Sequence, residues 1–253
     1  MGLLSTLKNL FSGLGFVVTE GARPLSADEE RAIAMGHVYA AEGALPVNVL
    51  TMEADARTAS KLLTRAWGVS DHNSYLETMR WLRDSGHRTV YPIIAPLVER
   101  SYSQRLMPKA ARALQDEAVT EAVRQGLDAA EVENHYRGWM GSTVMGGQAE
   151  LPDQLPSSIA AWDCARAVQL SRLAVDAGFT TDTEAFGLLQ EFVAISREHH
   201  RSWQEFGDAF LTGRAFWSAR DAKNPVDQEL HKFTYARDNL MKREDSPWQT
   251  IAW

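Results

Sequence analysis

The sequence predicts a single, irregular, all-α domain of about ten helices, and two observations carry that prediction. Apolar side chains recur at helical spacing along most of the chain, whereas the alternating pattern typical of strands is nearly absent. Capping boxes recur as well: a hydroxyl accepts from a backbone amide in the first turn of a helix, and a glutamate three residues later accepts from the backbone amide of the hydroxyl residue. They are Ser26 with Glu29, Thr181 with Glu184, and Ser202 with Glu205.

Ten helices are predicted along the chain. They cover residues 3–11, 27–43, 53–66, 71–85, 107–125, 128–139, 157–177, 182–199, 202–218 and 225–241. Gly86 and Gly178 stand where a helix would end in a left-handed residue. Pro92 and Pro96 argue against an unbroken helix between the fourth and fifth members of this set. The glycines and prolines of residues 141–156 indicate a long loop.

The N-terminal segment is the most amphipathic part of the sequence. Five apolar side chains share one face of its predicted helix: Leu3, Leu4, Leu7, Leu10 and Phe11. This face can pack on the domain, bind a protein partner, or lie on a membrane surface. Lys8 is the only cation nearby, which disfavours the membrane. We expect residues 1–24 to form a helix with a flexible connector, a separable partner-binding element, and residues 25–253 to form the helical domain.

Charge and cysteine content exclude several classes of protein. The formal net charge of −7 argues against nucleic-acid binding, which requires a basic surface. The single cysteine, Cys164, cannot form an intramolecular disulfide, and we interpret it as a small core residue. No apolar run is long enough to span a bilayer, and the first residues lack the features of a secretory signal. These features predict a cytoplasmic protein without integral membrane association.

Sequence motifs for known chemistry are missing. The chain has no phosphate-binding P-loop, no nucleophile elbow and no zinc-binding His-Glu-x-x-His helix. The adjacent pair His199 and His200 closes a predicted helix, where the two rings point about 100° apart and rarely share one metal ion. The sequence therefore predicts neither a metal site nor a cofactor.

Charged residues interrupt the apolar face of the predicted helix 157–177. Trp162 lies on that face, and Asp163 and Arg166 fall within the same stripe. Arg172 and Asp176 point well away from it, as expected for solvated charges. Because an unpaired buried charge is costly, Asp163 and Arg166 should pair with other charges or line a polar cavity.

The predicted helix 202–218 repeats this arrangement. Its aromatic stripe runs through Trp203, Phe206, Phe210 and Trp217, with Arg214 at the centre. Gly207 and Gly213 lie near the stripe and would permit close approach of another helix or of a ligand.

We expect Asp163, Arg166 and Arg214 to lie close together with their side chains directed inward. Asp163 would pair with Arg166 or with Arg214. The cluster is either a structural ion-pair network, a binding cavity for a small anionic ligand, or an enzyme site. In the second and third cases Trp162, Trp203, His87 and Arg88 would complete it, the last two from the turn at Gly86.

Several motifs in order resemble the domain of unknown function 1266 family. They are Trp67-Gly68-Val69, Gly86-His87-Arg88, Ala161-Trp162-Asp163 with Arg166, Gly178, Ser202-Trp203 with Phe206, Gly213-Arg214-Ala215-Phe216-Trp217, and Ser246-Pro247-Trp248 with Trp253. The resemblance covers about residues 60–253. It implies a helical bacterial protein, cytosolic in most cases, with no established activity and no catalytic residues to carry over.

Two functions stay open from the sequence. The first is a non-enzymatic binding or regulatory protein that acts through protein–protein contact, favoured by the N-terminal helix and the missing catalytic motifs. The second is a small anionic-ligand receptor or enzyme that uses the Asp163, Arg166 and Arg214 cluster.

Overall fold

The computed structural model describes residues 16–253, and this part of the chain is all-helical, with no strand. The all-α fold expected from the sequence is confirmed. The α-helices in chain order are α1 (Ala27–Ala34), α2 (His37–Gly43), α3 (Ala56–Trp67), α4 (His72–Asp84), α5 (Tyr91–Ser103), α6 (Pro108–Arg124), α7 (Ala129–Val144), α8 (Ala160–Asp176), α9 (Asp182–His199), α10 (Trp203–Ser218), α11 (Leu230–Lys242) and α12 (Pro247–Thr250). A 3-10 helix covers His87–Thr89.

The predicted N-terminal helix, with Leu3, Leu4, Leu7, Leu10 and Phe11, lies outside the described residues. Part of the predicted connector is described, and it is hydrogen-bonded. The amide of Val47 donates to the carbonyl of Val17 at 2.9 Å, and Asn48 binds both backbone groups of Thr19. Residues 17–19 are thus tied to residues 47–48. Among residues 16–253, no helix is long and apolar enough to cross a membrane.

The three predicted capping boxes mark helix starts in the structure. The Ser26 hydroxyl accepts from the amide of Glu29 at the start of α1, where both halves of the box are present. Thr181 and Ser202 accept in the same way at the starts of α9 and α10. Gly86 and Gly178 adopt positive φ angles of 61° and 72° after α4 and α8. Local sequence therefore predicted these boundaries well.

Several predictions of helix extent are wrong, among them the predicted loop 141–156, whose first residues belong to α7. Residues 27–43 form two helices, α1 and α2, with a break at Gly36, where an added Cβ would overlap the side chain of Val168. Residues 91–103 form the continuous helix α5 despite two prolines. Pro92 stands in the first turn, where a backbone N–H is not required, so only Pro96 removes a hydrogen bond from the helix interior.

The chain contacts divide into two compact units. Unit 1 combines the described residues up to Asp84 with Asp163–Gly207 and Lys232–Trp253, and unit 2 combines Ser85–Trp162 with Asp208–His231. The core of unit 2 includes Phe216, whose ring contacts Tyr91, His135 and Trp139 at centroid distances of 5.3, 4.9 and 5.5 Å.

The prediction that Arg172 and Asp176 are solvated is wrong. Arg172 is 1% exposed and donates from Nη2 to the carbonyls of Pro46 and Thr51, both at 2.7 Å. Asp176 accepts from the Thr51 hydroxyl and from the amides of Met52 and Ala54. The helical phase misled here because α8 is buried on nearly every side, so a residue opposite the apolar stripe is still inside.

Candidate functional site

Helices α5, α6 and α7 of unit 2 pack against one another pairwise. After α5, the amide of Leu106 donates back to the carbonyl of Ser101 at 3.0 Å, and Arg105 takes a left-handed φ of 47°. Pro108 then opens α6, where its missing N–H costs nothing. Connections this short make neighbouring helices antiparallel. The turn at residues 104–107 therefore brings the end of α5 and the start of α6 together.

An open groove of about 550 Å³ lies beside this turn, between α5, α6 and α7. Its apolar lining consists of Leu106, Pro108, Ala111, Tyr136, Met140 and Val144. The polar lining includes three arginines, Arg105, Arg112 and Arg137, together with Ser101, Tyr102 and Gln115. We call it the basic-rimmed groove, because no aspartate or glutamate lines it although the chain has a net charge of −7.

The rim arginines are held only loosely. Arg112 Nε lies 3.4 Å from the carboxylate of Asp116, and both side chains are about two-thirds exposed. Arg137 Nη2 lies 3.2 Å from Glu133, with the arginine side chain 57% exposed. Arg105 is exposed and forms no ion pair with any residue in the described part of the chain. Exposed pairs contribute roughly 0–1 kcal/mol, so these guanidinium groups can exchange their partners at little cost.

Two large exposed apolar side chains line this groove, and two more are their neighbours or near-neighbours in the sequence. Val144 is 64% exposed and belongs to its lining, as does Tyr102 at 53%. Met107 and Met145, which are 75% and 67% exposed, each adjoin lining residues in the sequence. Scattered exposed apolar residues are ordinary, but exposed apolar side chains in the lining of a groove make that groove a candidate binding surface.

Two hydrogen bonds link α6 and α7 at the groove. Tyr136 is 3% exposed, and its hydroxyl donates to the carbonyl of Ala111 at 3.5 Å. Burial raises the pKa of Tyr136, so the phenol stays a neutral donor at physiological pH. Gln115 ties α6 to α7 by donating to Glu133 at 2.9 Å. The lining contains no carboxylate, imidazole or thiol.

Arg214, one of the predicted site residues, has a carboxylate partner in unit 2. Its Nε and Nη2 donate to the two carboxylate oxygens of Asp227 at 2.6 and 3.4 Å. The guanidinium also lies over the rings of Trp217 and Trp162, at 5.4 and 6.0 Å from their centroids. Gly213 admits the side chain of Trp162, since an added Cβ would lie 2.9 Å from its Cγ. The prediction that Gly213 permits close approach of another helix is confirmed.

Asp163 and Arg166 belong to unit 1. Asp163 is fully buried, as predicted. The Arg166 guanidinium lies over the rings of Trp67 and Trp81, at 4.4 and 5.7 Å from their centroids. Burial lowers the pKa of Arg166, and the charge of Asp163 acts in the opposite direction. The meeting of Asp163, Arg166 and Arg214 in one cluster stays a prediction.

The other predicted site residues lie in different surroundings. Trp203 stacks on Trp248 at 5.1 Å and donates to the carbonyl of Ile251, so within unit 1 it anchors the C-terminal segment. His87, followed by Arg88 on the 3-10 helix, is 8% exposed and lies 6.0 Å from the ring of His135. Burial lowers the pKa of His135 to about 3, with smaller contributions from His87 and Arg220, so that imidazole is neutral.

Sequence reasoning did not identify the groove, nor Asp227 as the partner of Arg214. One signal was available: Met107 before Pro108 is typical of a helix start with an exposed turn, and it marks the end of the groove. The other parts of the groove were missed because Pro92 and Pro96 were expected to break a helix and because residues 141–156 were expected to form a loop. Those expectations removed α5 and the last turn of α7, both of which contribute residues to the groove lining.

Comparison with known proteins gives one match. The family model described as protein of unknown function (DUF1266) matches residues 62–253. No curated protein and no solved structure is significantly similar to the chain.

Among the described residues, no group of three or more His, Cys, Asp or Glu side chains has an arrangement suited to a metal ion.

Proposed function

The chain belongs to the DUF1266 family of proteins of unknown function, and we propose that it is a non-enzymatic protein-binding module. A protein partner would dock in the basic-rimmed groove. The observation that carries the proposal is a mainly apolar groove whose lining includes the exposed side chains of Tyr102 and Val144 but no carboxylate, imidazole or thiol.

On this proposal the protein acts in the bacterial cytoplasm, requires no cofactor, does not bind nucleic acid, and has no integral membrane association. The acidic net charge supports the exclusion of nucleic acid. Leu3, Leu4, Leu7, Leu10 and Phe11 remain a proposed second partner-binding element. Deletion of residues 1–12 should weaken association with the partner while leaving the melting temperature nearly unchanged.

The alternative is a small anionic-ligand receptor or enzyme at Asp163, Arg166 and Arg214. It has less support, because the N–H edge of the Arg214 guanidinium that would grip an anion already donates to both oxygens of Asp227. An anion would have to displace or bridge that carboxylate.

The proposal is tested by cross-linking in the native host, followed by mass spectrometry, with a matched pair of variants. Val144→Glu places a charge in the groove, and Val123→Glu places the same charge on α6 at a residue outside its lining. The two valines are similarly exposed, at 64% and 60%, so both variants should fold.

The expected result is a cross-linked partner that is recovered with the wild type and with Val123→Glu but lost with Val144→Glu. A partner retained by both variants would show that protein binding occurs elsewhere. If no protein cross-links specifically to the wild type, the proposed function is contradicted.

A further inference from the structure

Resting on the proposed function, we infer that the groove's partner is an amphipathic helix with acidic residues flanking its apolar face. Three properties of the groove select this chemistry: its length along α7, the sign of the charge on its rim, and the kind of secondary structure that it can receive.

The apolar floor follows one face of α7. Tyr136, Met140 and Val144 are spaced four residues apart, so they form a row on that helix. At a rise of about 1.5 Å per residue, the row is about 12 Å long. Apolar anchors at positions i, i+3 or i+4, and i+7 of a docked helix span roughly 10 Å. The floor therefore matches two turns of a partner helix.

The rim charges come from three different elements. Arg105 lies in the turn after α5, Arg112 on α6 and Arg137 on α7, so guanidinium groups border the floor from more than one side. A carboxylate on either flank of a docked helix would find an arginine, whereas a basic helix would be repelled. The chain's own residues 1–11 contain Lys8 and no acidic residue, which makes them a poor occupant.

The walls favour a helix over an extended peptide. An extended peptide that binds by adding a strand needs an exposed sheet edge, and residues 16–253 contain no strand to offer one. A methionine in the lining lets the groove accommodate partner side chains of different shapes. Met140 in the lining has an unbranched and polarisable side chain that adapts to differently shaped apolar anchors.

The test uses the full chain and two labelled synthetic peptides of about 16 residues, long enough to populate a helix. Both carry leucines at positions i, i+4 and i+7, and they differ only in their flanking residues, glutamate in one and lysine in the other. Fluorescence anisotropy should show the glutamate peptide binding about tenfold more tightly, as expected for a few rim ion pairs. Because rim pairs are screened by salt, the preference should shrink at 1 M salt.

Variants assign the preference to the rim. Arg112→Glu combined with Arg137→Glu should invert the preference for the two peptides, whereas Arg124→Glu, on α6 outside the lining, should leave it unchanged. Val144→Glu should weaken the binding of both peptides. Equal affinity for the two peptides, lost in Val144→Glu, would overturn the acidic partner but leave the groove as a docking site.

Other occupants give different results. Binding of neither peptide would overturn the helical partner, while the cross-linking experiment would decide the proposed function independently. Sedimentation that shows a dimer of the wild type, abolished in Val144→Glu, would assign the groove to a second copy of the chain. Binding to anionic phosphatidylserine vesicles, abolished in Arg105→Glu, would assign it to a lipid surface. Either outcome would reject the inference.

Discussion

Replacement of Gly138 by alanine should destabilise the protein although alanine is the better helix former. Gly138 lies in α7, where an added Cβ would lie 2.8 Å from the carbonyl carbon of Ala219 and closer still to its oxygen. Both are backbone atoms and cannot move aside as a flexible side chain would. Relief of the overlap requires the backbone around Ala219 to move relative to α7 within unit 2.

The magnitude follows from two opposing contributions. Alanine in a helix interior gains up to about 1 kcal/mol over glycine, whereas overpacking of a close contact typically costs about 1–3 kcal/mol or more. Because the obstructing atoms are backbone, we place the cost at or above the upper end of that range. The free energy of unfolding should therefore fall by about 2 kcal/mol, which lowers the melting temperature by roughly 4–8 °C for a chain of this size.

Gly187 supplies the control. It lies in α9, is exposed, and an added Cβ there would have no atom within 4 Å. Gly187→Ala should raise the free energy of unfolding by about 0.5–1 kcal/mol, since only the propensity acts. Urea denaturation of both variants measures the two changes. An increase in stability for Gly138→Ala would refute the reasoning, because it would mean that α7 and Ala219 are not in contact.

Three further predictions follow from the buried polar groups. In urea denaturation, Asp227→Ala should lower the free energy of unfolding by about 2–4 kcal/mol, because its ion pair with Arg214 is largely buried. Asp116→Ala removes an exposed ion pair and should lower it by under about 1 kcal/mol. Equal losses would mean that burial does not strengthen the first pair. Asp176→Ala should speed amide hydrogen exchange at Ala54, which loses its acceptor, and unchanged exchange would mean that the bond does not form in solution. His135, with its pKa lowered to about 3, binds a proton more readily in the unfolded chain, where its pKa is about 6.5. Stability should therefore be lost as the pH falls from 6.5 toward 3, and His135 should account for about 2 kcal/mol of that loss between pH 7 and pH 5. In urea titrations at several pH values, His135→Gln should make the free energy of unfolding depend less steeply on pH. An unaltered pH dependence would show that His135 does not contribute to it.

Local sequence determined most helix boundaries. The hydroxyl and carboxylate groups at Ser26, Thr181 and Ser202 act within one turn of the chain, so their effect does not depend on distant residues. The positive φ angles at Gly86 and Gly178 are equally local. The all-α class followed from such signals, and it would have followed from them in any tertiary arrangement.

The environment of each charged residue was decided by tertiary structure alone. Helical phase states which residues share a face, but the number of faces that are covered depends on the neighbours. On α8 nearly all are covered, so Arg172 is buried against carbonyls from residues 46 and 51 that no local pattern could have indicated. The pairing of Arg214 with Asp227 depends in the same way on the path of the chain between α10 and α11.

The basic-rimmed groove is also a tertiary feature. Its floor and rim come from three helices and a turn, and Arg105, Arg112 and Arg137 are far enough apart in sequence that no motif unites them. The sequence determined that each segment is helical and that Pro108 begins one of the helices. Only the packing of α5, α6 and α7 decided that their apolar and basic side chains share one surface, because a groove is a property of the space between helices and not of any one of them.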